Sequence, residues 1–140
     1  SEAASCVLCP TSSYSGTTGA TECTLCPAGY TAISGTGKTS LSLACTACPT
    51  GKFEALPGQS TGCTTCPTGT YGAVTGLSVC TSCPVGTEQP LTGRSLSNTC
   101  TVCAVGKYGN TKGASACTSC PPGTYVANSG ASVCLSLPIL

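Results

Sequence analysis

The chain has no histidine, methionine or tryptophan among its 140 residues. Without histidine it lacks the side chain that most often serves as a general base near neutral pH. Its four carboxylates, Glu2, Glu22, Glu54 and Glu88, are scattered along the chain and form no pair suited to acid–base catalysis. The sequence therefore predicts that the protein is not an enzyme.

Charge of either sign is also scarce, with five Lys or Arg against four Glu. No basic patch exists that could neutralise phosphates, which argues against nucleic acid as a partner. Long apolar runs are missing, so no segment is expected to span a bilayer. The chain starts at Ser1 without a signal peptide, which predicts a processed chain or a segment of a longer one.

Large apolar side chains are few, with one Phe and five Tyr. Such a chain cannot bury one compact core of the usual size. Cysteine is abundant instead, at 15 residues of 140, and a content above roughly 8–10% indicates a disulfide scaffold. Because disulfides persist in oxidising compartments, the composition predicts an extracellular or cell-surface protein.

The cysteines recur at a short period. Seven Cys-x-x-Cys pairs are followed by a single Cys134, and the pairs lie at 6/9, 23/26, 45/48, 63/66, 80/83, 100/103 and 117/120. Such self-similarity is the signature of a repeat architecture. The sequence therefore predicts a tandem array over residues 1–134, with units starting near 9, 26, 48, 66, 83, 103 and 120.

Each unit reads approximately Cys-Pro-x-Gly-x-aromatic, then a second Gly, then the next pair. The Pro presets an extended or turn backbone, and the Gly that follows permits a positive φ in the turn. Ser12 replaces this Gly in the first unit, and Ala104 replaces the Pro in the sixth. The aromatic is expected to pack on a neighbouring disulfide and the next unit, at Tyr14, Tyr30, Phe53, Tyr71, Tyr108 and Tyr125.

Short Thr- and Val-rich stretches favour brief strands, and no apolar spacing of 3.6 persists. The predicted fold is small, disulfide-rich, irregular all-β and without helices, an elongated rod of about seven tandem short repeats. The pattern decays after Cys134, where Leu137 takes the place of the second Cys of an eighth pair. Residues 135–140 are therefore predicted to be an apolar C-terminal cap or docking tail.

Two simple disulfide schemes suit the spacing. An interleaved scheme (6–23 with 9–26, and so on) would leave Cys120 without a partner. A sequential scheme, which the odd cysteine count favours, leaves Cys6 free or bridged to an external partner. It pairs Cys9 with Cys23, Cys26 with Cys45, Cys48 with Cys63, Cys66 with Cys80, Cys83 with Cys100, Cys103 with Cys117, and Cys120 with Cys134.

Neighbouring pairs also approach the spacing of an all-cysteine zinc site. Such sites need ligands in fours, which 15 cysteines cannot supply without remainder, and their negative charge is usually offset by nearby Lys or Arg. We therefore expect no metal and no other cofactor. Serine and threonine number 42, and many are expected on the surface, where O-linked glycans could be attached.

The frame Cys-Pro-x-Gly-x-Tyr…Gly…Cys-x-x-Cys resembles the ephrin-receptor-like cysteine-rich repeat and the simplest module of tumour-necrosis-factor-receptor ectodomains. The resemblance covers Cys6 to Cys134, and the units that start at Cys48, Cys66 and Cys120 match best. It implies a bridge closing each Cys-Pro loop, in agreement with the sequential scheme. Arrays with so little charge also resemble protist surface coats and algal flagellar-hair proteins, and the resemblance transfers no ligand-binding residue.

Together these features predict an extracellular structural protein, a subunit or segment of a filament, surface coat or flagellar hair. Its nearly neutral surface favours self-association, and the predicted partners are further copies or other surface proteins. The alternative is the ectodomain of a receptor or adhesion protein that binds a protein ligand. A metal-binding Cys-x-x-Cys module is the third possibility.

Overall fold

The computed structural model describes residues 6–139. In this range, short strands pair two by two into seven hairpins, one in each repeat. The strands are β1 Ser13–Tyr14, β2 Thr24–Leu25, β3 Tyr30–Ala32, β4 Cys45–Ala47, β5 Lys52–Phe53, β6 Thr64–Thr65, β7 Thr70–Tyr71, β8 Thr81–Ser82, β9 Thr87–Glu88, β10 Thr101–Val102, β11 Lys107–Tyr108, β12 Thr118–Ser119, β13 Thr124–Tyr125 and β14 Leu135–Ser136.

We number the repeats 1 to 7 and let each run from the second Cys of one pair to the first Cys of the next: 9–23, 26–45, 48–63, 66–80, 83–100, 103–117 and 120–134. In repeat 4, β7 and β8 are antiparallel, with Thr70 opposite Ser82 and Tyr71 opposite Thr81. The first strand of each hairpin carries the aromatic position. The second strand begins at or directly after the Cys that ends the repeat, and we assign each hairpin to the repeat that contains its first strand. The small disulfide-rich all-β fold of tandem short repeats is thus confirmed.

A tight turn precedes each hairpin. In repeat 4 the carbonyl of Pro67 accepts a hydrogen bond from the backbone N–H of Thr70 at 3.3 Å and from its hydroxyl at 2.8 Å. Gly69 within this turn has φ 76°, a left-handed conformation that side chains disfavour. Ser12 occupies the same place in repeat 1 with φ 75° and is the one non-glycine residue with positive φ among the described residues.

The prediction that the chain has no helix was wrong in two places, both in long repeats. Helix α1, Leu41–Ala44, lies in repeat 2, and a 3-10 turn, Ser97–Thr99, lies in repeat 5. Leu and Ala favour helix, and Ala44 is buried against the Cys26–Cys45 disulfide with Leu41 packed on it. The extra residues of repeat 2 thus gain an apolar contact by coiling into one turn.

The contacts divide the chain into two compact units. The first contains the described residues up to Pro49 together with Phe53–Thr64 and Thr75–Val79. The second contains Thr50–Lys52, Thr65–Val74 and the chain from Cys80 onward. Because both cysteines of each disulfide fall in the same unit, every bridge strengthens one unit internally.

Cysteines make up most of the buried hydrophobic residues. Apart from cysteines, the buried hydrophobic residues of the described range are Ala44 and Val126. A core of this size cannot offset the conformational entropy of folding, so covalent links must supply much of the stability. None of the described helices is long and apolar enough to cross a lipid bilayer.

Candidate functional site

Seven disulfides close the seven repeats. They are Cys9–Cys23, Cys26–Cys45, Cys48–Cys63, Cys66–Cys80, Cys83–Cys100, Cys103–Cys117 and Cys120–Cys134. This is the sequential pairing, and the Cα atoms of each pair lie 5.7–5.8 Å apart. Cys6 is unpaired and exposed. Across residues 6–139, no group of three or more cysteine or carboxylate side chains is placed to hold a metal ion.

The aromatic side chains lie half-buried beside the bridges. Tyr14 of repeat 1 and Tyr30 of repeat 2 both pack on the cluster formed by Cys26, Ala44 and Cys45. Phe53, Tyr71 and Tyr108 are half-buried in the corresponding places, whereas Tyr125 of repeat 7 is 39% exposed. Tyr14 thus packs on the disulfide of the next repeat, and Tyr30 packs on the disulfide of its own repeat.

Backbone hydrogen bonds join each repeat to the next, and the same three kinds recur. We call the Gly of the turn the first glycine and the Gly before the next pair the second glycine. In the first kind, the second glycine donates its N–H to the carbonyl of the second Cys of the preceding repeat at 2.7–2.8 Å. The bonds run from Gly37 to Cys9, Gly58 to Cys26, Gly76 to Cys48, Gly93 to Cys66, Gly113 to Cys83 and Gly130 to Cys103.

The other two kinds run in the opposite direction. The residue next to the aromatic position donates its N–H to the carbonyl that follows the second glycine of the next repeat, as in Gly72 to Arg94 at 2.8 Å. The first glycine donates to the residue after the aromatic position of the next repeat, as in Gly51 to Gly72 at 2.9 Å. Because all these groups belong to the main chain, the junction tolerates many side chains.

A closer contact links repeats that are two apart. A Cβ added at the first glycine of repeats 2 to 5 would overlap the carbonyl oxygen of the second glycine two repeats later. The pairs are Gly29 with Gly76, Gly51 with Gly93, Gly69 with Gly113, and Gly86 with Gly130. These four first glycines are buried. The first glycine is therefore required by a close backbone approach as well as by its φ, a requirement that sequence reasoning missed.

Repeat 5 replaces its missing aromatic with hydrogen bonds. Glu88 stands at the aromatic position, and its Oε2 accepts from the N–H of Cys117 at 2.6 Å. The next residue, Gln89, is 1% exposed; its Oε1 accepts from the N–H of Leu91 at 3.1 Å, and its Nε2 donates to the carbonyl of Thr99. Sequence reasoning did not single out Gln89, although a polar residue after a lost aromatic was a usable signal.

The repeats at the two ends of the described range expose surfaces that interior repeats cover. The first glycines Gly106 and Gly123 are exposed, with no atom within 4 Å of an added Cβ. Cys120 is half-buried, whereas the second Cys of every other repeat is buried. In repeat 1, residues around Gly19 line an open depression of about 660 Å³, and Cys6 and Leu8 are also part of its lining.

The apolar tail adds one further element of the repeat. The N–H of Leu137 donates to the carbonyl of Gly123 at 3.3 Å, as the second Cys of an interior repeat does to the preceding first glycine, for example Cys83 to Gly69 at 2.8 Å. Leu137 thus takes the place of a second Cys in three dimensions as in sequence. Leu135, Leu137 and Ile139 are 53%, 58% and 101% exposed.

Comparison with protein families agrees with this architecture. Residues 91–134 match the family described as tyrosine-protein kinase ephrin type A/B receptor-like. Among curated proteins, no significant match to the chain was found. The matched segment covers repeats 6 and 7 with the end of repeat 5, and its bridges and hairpins recur in the other repeats. The ladder of seven disulfides in tandem short repeats fits a cysteine-rich repeat of the ephrin-receptor-like kind, which the family match detects over residues 91–134.

Proposed function

We propose that this chain is an extracellular structural protein without catalytic activity, a subunit or segment of a filament, surface coat or flagellar hair. One observation carries the proposal: two kinds of main-chain bond recur at every junction from repeat 1 to repeat 7, and the third kind recurs at the four junctions between repeats 2 and 6. Main-chain donors and acceptors make each repeat a suitable neighbour for any other repeat. A surface built in this way suits repeated assembly of identical subunits.

The charge of the surface supports the same role. Five cationic and four anionic residues in 140 give little repulsion between copies, and proteins with net charge near zero tend to associate. The extracellular setting is supported by the seven disulfides, which reducing compartments would not maintain.

The proposal is tested by sedimentation velocity on the oxidised chain from low to high micromolar concentration. We expect the weight-average sedimentation coefficient to rise with concentration without any added partner. A chain that remains monomeric throughout would contradict the assembly role.

The second candidate is a receptor or adhesion ectodomain that binds a protein ligand. It is favoured by the match of residues 91–134 to a receptor-like family. In that case the oxidised chain remains a monomer at high concentration, and cells that display it bind a defined partner protein. The two candidates thus give opposite results in the same sedimentation experiment.

We further propose that the surface carries O-linked glycans. In every Cys-x-x-Cys pair after the first, the residue that follows the first Cys is an exposed Thr. A hydroxyl on an exposed hairpin is accessible to a glycosyltransferase. The acceptors are Thr24, Thr46, Thr64, Thr81, Thr101 and Thr118. Peptide mass spectrometry of natural material should find hexose or pentose increments on these peptides, and unmodified peptides throughout would contradict this assignment.

A further inference from the structure

We propose that the segment 135–139 of one copy of this chain binds in the depression on repeat 1 of a second copy. This inference rests on the proposed assembly role and adds to it the two surfaces and the atoms that meet. The proposed contact extends the junction already seen between successive repeats, with a second chain in the place of the next repeat.

Each interior second glycine is covered in the same way. Its N–H is bonded to the carbonyl of the preceding second Cys, and the residue before that Cys lies within 4 Å of the position that a Cβ on the glycine would take, joined at Gly76 by the ring of Tyr30. The side chains that cover these glycines are Leu8 at Gly37, Leu25 at Gly58, Ala47 at Gly76, Thr65 at Gly93, Ser82 at Gly113 and Val102 at Gly130.

Gly19 is the second glycine of repeat 1 and lacks this cover. It is exposed, no described atom lies within 4 Å of an added Cβ, and its N–H has no backbone acceptor among the described residues. Gly19 lines the depression of about 660 Å³ together with Val7, Leu8, Pro10 and Ala20. Among the described residues, this half of a repeat junction has no second half beside it. The lining combines these apolar residues with Glu22, Lys38 and several Ser and Thr side chains.

The tail supplies the missing half. Relative to an interior Cys-x-x-Cys pair, Ser136 takes the place of the residue before the second Cys, and Leu137 takes the place of the second Cys itself. The carbonyl of Leu137 has no backbone donor among the described residues. The side chains of Leu135, Leu137 and Ile139 are largely exposed, and burying such apolar area is favourable.

Three complementary contacts follow in one register. The carbonyl of Leu137 accepts the N–H of Gly19 of the second copy, and Ser136 lies on the Cα of that glycine. The exposed first glycine Gly123 receives the carbonyl of the same Gly19, as Gly69 receives that of Gly113. The two surfaces differ, so the contact is heterologous and can propagate from copy to copy.

Asparagine substitutions test the two surfaces, because Asn tolerates positive φ but adds a side chain. Gly19→Asn and Gly123→Asn place that side chain on the proposed contact. The control is Gly62→Asn, since Gly62 also has positive φ and open space around its Cα but belongs to no junction. We expect each of the first two to raise the dissociation constant about tenfold or more, and the control to leave it unchanged.

Mixing the two variants tests the direction of the contact. Gly19→Asn retains an intact tail surface, and Gly123→Asn retains an intact repeat 1. At concentrations where each variant alone stays monomeric, an equimolar mixture should form dimers that do not extend further. A symmetric interface would give no such recovery, and that result would overturn the inference.

A covalent test uses Cys6, the first Cys of the pair 6/9. In the interior of the array, the first Cys of each pair forms a disulfide with the second Cys of the preceding pair. In the proposed register Leu137 lies next to the partner's Cys6. In Leu137→Cys, oxidised glutathione should accept two electrons and two protons from the two thiols as an intermolecular disulfide forms. For Leu137→Cys we expect a ladder of disulfide-linked oligomers on a non-reducing gel. We expect no ladder for Leu135→Cys, and none for Leu137→Cys combined with Cys6→Ser.

The outcomes separate the two proposals. A wild-type chain that stays monomeric overturns the assembly role itself. A wild-type chain that assembles, while Gly19→Asn and Gly123→Asn assemble equally well, overturns only the contact proposed here. Equal cross-linking of Leu135→Cys and Leu137→Cys would likewise contradict the register.

Discussion

The first glycine of an interior repeat is required for two separate reasons, its positive φ and the close approach of another backbone segment. Gly69 has φ 76°, which any L side chain would find unfavourable, and its Cα approaches the carbonyl of Gly113 too closely for a Cβ. Gly106 has φ 82° but open space around it. The two glycines therefore separate the cost of conformation from the cost of packing.

We expect Gly106→Ala to lower the free energy of unfolding by about 1 kcal/mol, the cost of a left-handed side chain. Gly69→Ala should lower it by about 3 kcal/mol or more, because the added Cβ also forces the backbone of Gly113 to move. Guanidinium titration of both oxidised variants measures the difference. Equal losses would mean that the contact between Gly69 and Gly113 contributes nothing.

Ser12 is the matching residue in repeat 1 and carries the conformational cost already. It is buried, with φ 75°, and its side chain makes no hydrogen bond among the described contacts. Ser12→Gly should therefore raise the free energy of unfolding by about 1 kcal/mol. Thr11→Gly is the control, since Thr11 is exposed without positive φ; a stabilising effect there equal to that at Ser12 would contradict the explanation.

The extended loop of repeat 5 depends on one amide. Gln89→Ala leaves the carbonyl of Thr99 and the N–H of Leu91 without their side-chain partner and opens a small cavity. We expect a loss of about 2–4 kcal/mol in the free energy of unfolding. Gln59→Ala provides the control, because Gln59 contributes its backbone carbonyl to a junction and is only half-buried. Comparable losses in the two variants would rule out this role for the amide.

Sequence reasoning succeeded where the information was local. The spacing of cysteines predicted the sequential disulfides, and Pro67 and Gly69 alone predicted the turn around Gly69. Helix α1 was missed because its four residues gain their stability from Ala44 on a disulfide and not from any periodic pattern. The contact of Gly69 with Gly113 was missed because it joins residues far apart in sequence, and no local pattern encodes such a distance.

At the scale of the whole molecule, the disulfides replace a hydrophobic core. Each bridge closes a loop with a sequence separation of 14 to 19 residues, and in the chain-entropy account such a bridge stabilises by roughly 3 kcal/mol. The buried apolar residues other than cysteine are Ala44 and Val126 among those described. Little would therefore hold the chain folded once the bridges are reduced.

Full reduction without denaturant should unfold the chain. We expect the dispersed amide signals of the hairpins in an NMR spectrum to collapse to random-coil positions, because the remaining burial cannot offset chain entropy. The Cys6→Ser variant should show the same behaviour, since Cys6 takes part in no bridge. A dispersed spectrum after complete reduction would contradict the view that the bridges are essential.

The contact between first and second glycines two repeats apart changes which energy terms are needed to describe the folding of such an array. Models of repeat-protein folding usually assign one energy to each repeat and one to each adjacent interface. Here the carbonyl of Gly113 is in place for Gly69 only when repeats 4, 5 and 6 are all folded. The coupling therefore reaches second neighbours, and three consecutive repeats form the smallest cooperative block.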